Sequence, residues 1–463
     1  MKKVLLVSPP IQGNAQAPSK DSSYGLGLGY LHAVIEKEGY QIRTFMYNND
    51  DPLEAEKAVT AELVDFKPDF LLVQIFTMNR GESYRTIKRA KELRPQIKVV
   101  TGGVHATMYP GQLLENFPVD AVVIGEGEET IIELLNTLSA GLEPTAIKGI
   151  AYKKDGFMVM TPSRPLIQDL DALPFPKHEL FMTPEREMAC ILTNRGCPFK
   201  CSFCCLHTIS RRKFRKRSVK NAVDEVEYIV NTFKNIKIIQ IADDTFTLDL
   251  QRAMDFCKEI VRRKIKIKFY CSARIKPVSV ELFKLMEAAG FSSIGFGLET
   301  GSAKLLKSIH KSITREDAIE TFNMLKGINI NISTFLMVGF PGEDKETVAE
   351  TIDLIQKLQK IKYFEFAGVA RLWVYPNTEI YDLLRDAGRI DDSFWLTDKD
   401  VPFFTLEHSA EELERMVTQI AMACTPKRQW IKRISGELRR PGLFFKKLIP
   451  RLRKVWKVLE SNM

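Results

Sequence analysis

Asn194-Arg195-Gly196-Cys197-Pro198-Phe199-Lys200-Cys201-Ser202-Phe203-Cys204-Cys205 holds four of the eight cysteines of the chain. It follows Met188 to Thr193, an apolar run that reads as a buried strand, so the thiols stand on a loop at a strand's C-terminal end. Three thiolates spaced C-x3-C-x2-C can hold three corners of a four-iron cluster and leave the fourth iron open to a ligand. The competing reading is zinc, which wants four closed ligands. Cys205 and His207 are near enough to be candidates, but adjacent Cys204 and Cys205 chelate poorly.

Downstream of this loop the pattern alternates. Ile236 to Ala242, Ile267 to Ser272, Ser292 to Leu298, Ile330 to Val338 and Phe364 to Leu372 read as strands. The stretches between them, such as Val223 to Thr232 and Thr347 to Leu358, carry apolar residues at helical spacing. Six strand-helix units predict an incomplete version of the eightfold barrel, open on one side. Upstream, Val4 to Val7, Phe70 to Ile75, Val99-Val100 and Ala121 to Ile124 alternate with helical patterns, the signature of a doubly wound parallel sheet. The fold class is therefore α/β. The expected division is a doubly wound domain at 1–145, a proline-bearing linker at 146–185, a partial barrel at 186–390 and a helical C-terminal region at 391–463.

The chain has 463 residues, 45% of them hydrophobic, and a formal net charge of +9. These values exclude a disordered tail protein, a small disulfide scaffold and a collagen-like repeat. Twelve of the 67 Lys and Arg but only two of the 58 Asp and Glu lie between Thr425 and Met463, so the body is nearly neutral and the basicity is a tail. No apolar run reaches the roughly 20 residues that span a bilayer, and the first residues run directly into a strand. A cytoplasmic protein is expected, where cysteines are thiols or metal ligands before they are disulfides. Cys190, Cys257, Cys271 and Cys424 read as buried small hydrophobes.

The cysteine loop resembles the radical S-adenosylmethionine (SAM) superfamily, whose signature has an aromatic residue before the third cysteine, here Phe203. The resemblance implies that Cys197, Cys201 and Cys204 bind a [4Fe-4S] cluster and that SAM chelates its open iron. One electron from the cluster then yields a 5'-deoxyadenosyl radical that abstracts hydrogen. Further elements are similar to the family's in the same order: Asp243-Asp244-Thr245-Phe246, Arg274, the Gly297 to Ser302 segment, Gly339-Phe340-Pro341-Gly342-Glu343 and Tyr375-Pro376-Asn377-Thr378. By this resemblance Phe203, Asp243, Arg274, Glu299, Ser302, Gly339 and Pro341 contact SAM. Physical alternatives stand beside it: Asp243 as a turn cap, Arg274 as a structural ion pair and Gly339 as a turn glycine. His310 reads as a surface residue.

In the first domain the strand-end loops are Ser8 to Gly13, Thr101-Gly102-Gly103-Val104-His105-Ala106-Thr107 and Gly125-Glu126-Gly127-Glu128-Glu129. Beside the cysteine domain they resemble the cobalamin-binding domain of B12-dependent radical SAM enzymes, a class that includes hopanoid and natural-product methylases and the anaerobic magnesium-protoporphyrin ester cyclase. The resemblance assigns Pro10, Gly102, Gly103, His105, Thr107, Gly125, Glu126, Gly127 and Glu128 to cobalamin. No Asp-x-His-x-x-Gly motif is present, so His105 is expected as a pocket residue and not as a cobalt ligand.

Lys427 to Arg440 and Phe444 to Leu459 flank Pro441-Gly442, and the second segment sets Leu448, Leu452, Val455 and Leu459 at helical spacing among cations. Basic amphipathic helices suit an anionic membrane face, which this stripe favours over nucleic acid. The sequence thus points to a cobalamin-dependent radical SAM C-methyltransferase. Its substrate is expected to be a hydrophobic, membrane-associated small molecule, with flavodoxin or ferredoxin as one-electron donor and a peripheral place on the cytoplasmic membrane. A radical cyclase is the first alternative. A tRNA methylthiotransferase is the second, disfavoured because no cysteine precedes Cys190.

Overall fold

The computed structural model describes residues 2–11, 24–47 and 51–429. The basic tail beyond Gln429 and the Gln12-Gly13 turn lie outside the described residues. Strands β1 (Lys3–Ser8), β2 (Gln41–Met46), β3 (Phe70–Gln74), β4 (Lys98–Gly102) and β5 (Ala121–Val123) form a parallel sheet in the order β2-β1-β3-β4-β5. That is a doubly wound order whose direction of winding reverses between β1 and β3, so the loops after those strands open a crevice. Val4 to Val7 and Leu71 to Val73 are buried because helices cover both faces of the sheet.

The first sheet does not end where the sequence suggested. Strands β6 (Ile150–Lys154) and β7 (Phe157–Met160) continue it antiparallel, so the expected linker beginning at 146 opens with two strands of the first domain. β7 alternates little and is largely exposed, as an edge strand can be, which hid it from a search for buried runs. β2 was also missed, because Gln41, Arg43 and Thr44 interrupt its apolar pattern at the opposite edge.

The second sheet begins with β8 (Met188–Ile191). A two-residue hairpin of β9 (Asn194–Arg195) and β10 (Arg215–Lys216) brackets the cysteine loop. Strands β11 (Ile238–Ile241), β12 (Lys268–Arg274), β13 (Phe291–Glu299), β14 (Asn331–Val338) and β15 (Ala370–Arg371) complete a six-stranded parallel sheet in sequential order. This is the open partial barrel, with the sixth strand shrunk to two residues. Outward-facing Ile239, Phe269, Phe291, Phe296 and Ile332 pack on the covering helices in one buried cluster. The C-terminal region opens with a 3-10 turn, Asp392–Leu396, that returns to the first domain: Tyr84 donates to the Trp395 carbonyl at 2.9 Å and Gln112 to the Asp392 carbonyl at 2.7 Å. The helix Ala410–Cys424 starts with a Ser409–Glu412 capping box and packs on the helix Lys345–Ile361.

Candidate active site

The C-terminal ends of the two parallel sheets face each other across a cavity of about 360 Å³. Its first-domain wall is Leu72, Gln74, Phe76, Gly102, Gly103, Gly125 and Gly127; its barrel wall is Asn194, Arg195, Gly196, Ile209 and Asp244. Gly103 sits at φ +98, and a Cβ there would stand 2.9 Å from the Ile75 carbonyl, so the tight turn requires glycine. Thr107 accepts from the Gly125 amide at 3.0 Å and ties the two glycine loops together.

Glu126 and Glu128 line this cavity but are held by arginines of the barrel. Glu126 accepts from Arg195 at 3.0 Å, from Arg215 at 2.7 Å and from the Ile167 amide at 2.9 Å; Glu128 accepts from Arg195 at 2.6 Å. Burial alone would raise the Glu126 carboxyl, but Arg215 and Arg195 outweigh it and hold the group below the ordinary range. These carboxylates lock the first domain to the hairpin around the cysteine loop. Nothing in the sequence marks Arg195 or Arg215 as partners of these glutamates, since an arginine carries no local signal of what it pairs with.

His105 does not line the cavity. It is fully buried behind Gly103, between Thr77 at 3.2 Å and the Tyr84 hydroxyl at 3.2 Å, with the edge of Trp395 beyond. Burial lowers its pKa to about 3, so it is a neutral core imidazole. The expectation of a pocket histidine is corrected: the helix Val104–Met108 turns the ring toward the core while Gly103 and Val104 face the cavity. Pro10 is buried at the end of β1 and does not line the cavity among the described residues.

The three signature cysteines are reduced and half-buried on one loop. Burial, reinforced by the neighbouring Cys205, Cys201 and Cys197, pushes the Cys204 thiol up to about 11. Among the described residues no three His, Cys, Asp or Glu side chains converge on a single metal ion. Three soft thiols on one loop suit a cluster that leaves one iron open. Arg274 lies 3.7 Å from the Cys201 sulfur, stacks on Phe199 with its guanidinium carbon 3.7 Å from the ring centroid, and donates to the Lys311 carbonyl. Among the described residues it forms no ion pair, and it braces the loop.

The other residues expected at SAM separate into two groups. Ser302 is fully buried, and its hydroxyl has no hydrogen-bond partner among the described residues. Glu299, at φ +69, accepts from Lys311 at 2.7 Å beside Gly297 at the barrel mouth. Phe203 packs against Phe340. Asp243, by contrast, is 3% exposed and fully occupied. It accepts from the Thr193 amide at 2.6 Å, from the Thr193 hydroxyl, and from the Asn194 amide and side chain at 3.1 and 2.6 Å. The assignment of Asp243 to SAM is corrected: it fastens the end of β8 to that of β11, while its neighbour Asp244 faces the cavity and accepts from the Gly196 amide at 3.0 Å. Gly339, at φ +96, turns its missing Cβ toward Leu413 of the C-terminal helix. Glu343 accepts from the amides of Gly339 and Phe340, and burial raises its carboxyl to about 7. Asn377 adopts φ +59, which accounts for a turn that otherwise favours glycine.

The family model described as the radical SAM superfamily matches residues 191–355, and that of the B12 binding domain matches residues 17–135. An uncharacterized methyltransferase of Pyrococcus horikoshii is 31% identical over 386 residues, covering 82% of this chain and 82% of that protein. The anaerobic magnesium-protoporphyrin IX monomethyl ester cyclase of Rubrivivax gelatinosus is 28% identical, over 79% of this chain and 67% of its own length. The radical SAM methyltransferase TsrM of Kitasatospora setae, solved with cobalamin and a [4Fe-4S] cluster, superposes with a TM-score of 0.67 at 22% identity, covering 82% of this chain and 77% of that one. With the paired sheets, the glycine loops and the cysteine loop meeting at one cavity, these matches establish that the chain belongs to the B12-binding radical SAM enzymes, whose cofactors are a [4Fe-4S] cluster, SAM and cobalamin.

Proposed function

We propose that the protein is a C-methyltransferase acting on an unactivated carbon of a hydrophobic, membrane-associated small molecule. The observation that carries this reading is the shared cavity: Gly196, next to Cys197, lines the same space as Gly102, Gly103 and Gly125 of the first domain. When bound, the cofactors supply an electron, a hydrogen-abstracting radical and a transferable methyl group. Cys197, Cys201 and Cys204 would hold the cluster, Ser302 and Glu299 would meet SAM, and the glycine loops would admit the cobalamin ring. Arg195 and Arg215, clamped by Glu126 and Glu128, hold the two cofactor domains in register.

A hydrophobic substrate is supported by the inner face of the barrel. The Phe335 ring is 43% exposed there and lies over Gly295 beside the Tyr270 hydroxyl, an uncovered aromatic surface inside the open cleft. The membrane part of the proposal rests on the basic tail. Among the described residues no helix is long and apolar enough to cross a membrane. The cyclase reading is favoured by identities of 26–28% to cyclases such as the Rubrivivax protein.

The test is anaerobic turnover of the reconstituted enzyme with cobalamin, a reductant, SAM and a lipid extract. Formation of 5'-deoxyadenosine and S-adenosylhomocysteine in equal, lipid-dependent amounts is the expected result. Lipid-dependent 5'-deoxyadenosine without S-adenosylhomocysteine refutes methyl transfer in favour of cyclisation, and products independent of lipid refute the substrate class.

A further inference from the structure

The segment Arg211-Arg212-Lys213-Phe214-Arg215-Lys216-Arg217 has six cations in seven residues, and the fold sorts them into two populations. Arg215 and Arg217 turn inward to buried carboxylates, and Lys216 pairs with Asp249. Arg211 and Arg212 instead spend their guanidinium groups on carbonyl oxygens, those of Arg164 at 3.0 Å and Phe199 at 2.9 Å. Their positive charge is left uncompensated by any carboxylate among the described residues. Lys213 is exposed and forms no ion pair among them; the same holds for Lys200 and Lys307.

Lys200 sits on the cysteine loop, and the other unpaired cations sit against it. Arg211 and Arg212 are both left-handed, at φ 50 and φ 58, and this turn lays the segment directly against the loop: a Cβ on Gly196 would run into the Lys213 carbonyl. Phe199, which receives Arg212, and exposed Lys200 lie between Cys197 and Cys201, and the Ser202 amide donates to the Ile309 carbonyl at 3.1 Å, which brings Lys307 alongside. His310 is neutralised there by Glu379 at 3.2 Å, and the Asp244 carboxylate bonds the loop from the cavity side. Since charges outside the tail nearly cancel, a knot of unpaired cations here is local and directional.

We propose that this outer face of the cysteine loop, built from Lys200, Arg211, Arg212, Lys213 and Lys307, docks an acidic one-electron carrier protein. The cluster must receive its electron from outside the chain, and tunnelling falls steeply with distance, so the carrier has to dock where the loop reaches the surface. Lys200 and Pro198 are the exposed residues between the first two signature cysteines. One electron leaves the carrier's reduced cofactor and enters the oxidised cluster; no proton or group is transferred. Complementary charge steers such encounters and sets their salt dependence. The proposal rests on the cluster of the family and not on methyl transfer, so its failure leaves the proposed function standing.

The test uses the reconstituted full-length enzyme, with reduced flavodoxin and reduced [2Fe-2S] ferredoxin as parallel probes. Affinity is read by titration, and cluster reduction by stopped-flow bleaching of its visible absorbance. The double variant Lys200→Glu/Lys213→Glu is expected to weaken binding of at least one carrier about tenfold or more and to slow its reduction of the cluster equally, while reduction by dithionite is unchanged. Lys326→Glu, at the opposite end of the barrel, is expected to change neither. A milder Lys213→Gln and a salt titration of the unmodified enzyme guard against misfolding of the double variant: the association rate is expected to fall as salt rises. Unchanged affinity for both carriers, an equal loss from Lys326→Glu, or salt-independent association overturns the proposal.

Discussion

Replacing Glu126 with Ala removes the acceptor shared by Arg195, Arg215 and the Ile167 amide. Arg215 and Glu126 are 6% and 7% exposed at the side chain, and Arg215 has no second carboxylate among the described residues, so the variant leaves a buried, uncompensated guanidinium. Breaking a buried pair from one side costs about 3–5 kcal/mol. Arg195 keeps Glu128 at 2.6 Å, which limits its share. A loss of about 4 kcal/mol is expected for Glu126→Ala and about half that for Glu126→Gln, which retains hydrogen-bonding capacity without the charge. Urea unfolding of the apoprotein by circular dichroism measures the loss, and limited proteolysis of the Thr161 to Lys177 connection reports loosening between the domains. Because the folded Glu126 carboxyl is held below its ordinary value, its contribution is complete above about pH 4.3 and is lost as the pH falls through the depressed folded value. The gap between wild type and Glu126→Ala therefore closes in acid. Adding Arg215→Ala removes the stranded charge, so the double variant is expected to be at least about 1 kcal/mol more stable than additivity implies. A loss below about 1 kcal/mol for Glu126→Ala, or strict additivity, refutes the lock.

Cys201→Ala is expected to abolish the visible absorbance of the reconstituted cluster and formation of 5'-deoxyadenosine together; retained SAM cleavage contradicts the cluster assignment. His105→Ala is expected to cost about 2–4 kcal/mol in urea unfolding through an unfilled core site, yet to leave the absorption spectrum of bound cobalamin unchanged; a spectral shift places the imidazole at cobalt after all. Since folded His105 titrates at about 3 against roughly 6.5 when unfolded, it subtracts stability progressively as pH falls below 6.5, by up to about 1.4 kcal/mol per pH unit, and a pH series on His105→Phe is expected to lack that component. Asp243→Asn puts an amide donor among the Thr193 and Asn194 donors, and is expected to lower unfolding stability by about 2 kcal/mol while SAM affinity of the folded fraction holds. A selective loss of SAM affinity returns Asp243 to the cofactor.

The fold class and the cluster loop were legible along the chain, because both are written in local pattern. Buried parallel strands are continuous apolar runs, and C-x3-C-x2-C needs only one loop to bring its thiols together. The glycines of the first domain were legible for the same reason, since a turn such as that at Gly103 imposes its demand on one residue. Which side chains meet depends on long-range packing. Asp243 and Asp244 are neighbours with the same side chain, yet one is spent inside on Thr193 and Asn194 while the other faces the cavity. The strand end sends successive side chains in opposite directions, and sequence does not say which direction holds donors. His105 likewise belongs to the core because Tyr84 and Trp395, from distant segments, close over it. The pairing of Glu126 and Glu128 with Arg195 and Arg215 joins residues some 70 to 90 positions apart. An ion pair leaves no periodic trace in either partner, so it came into view only when the two sheets faced each other.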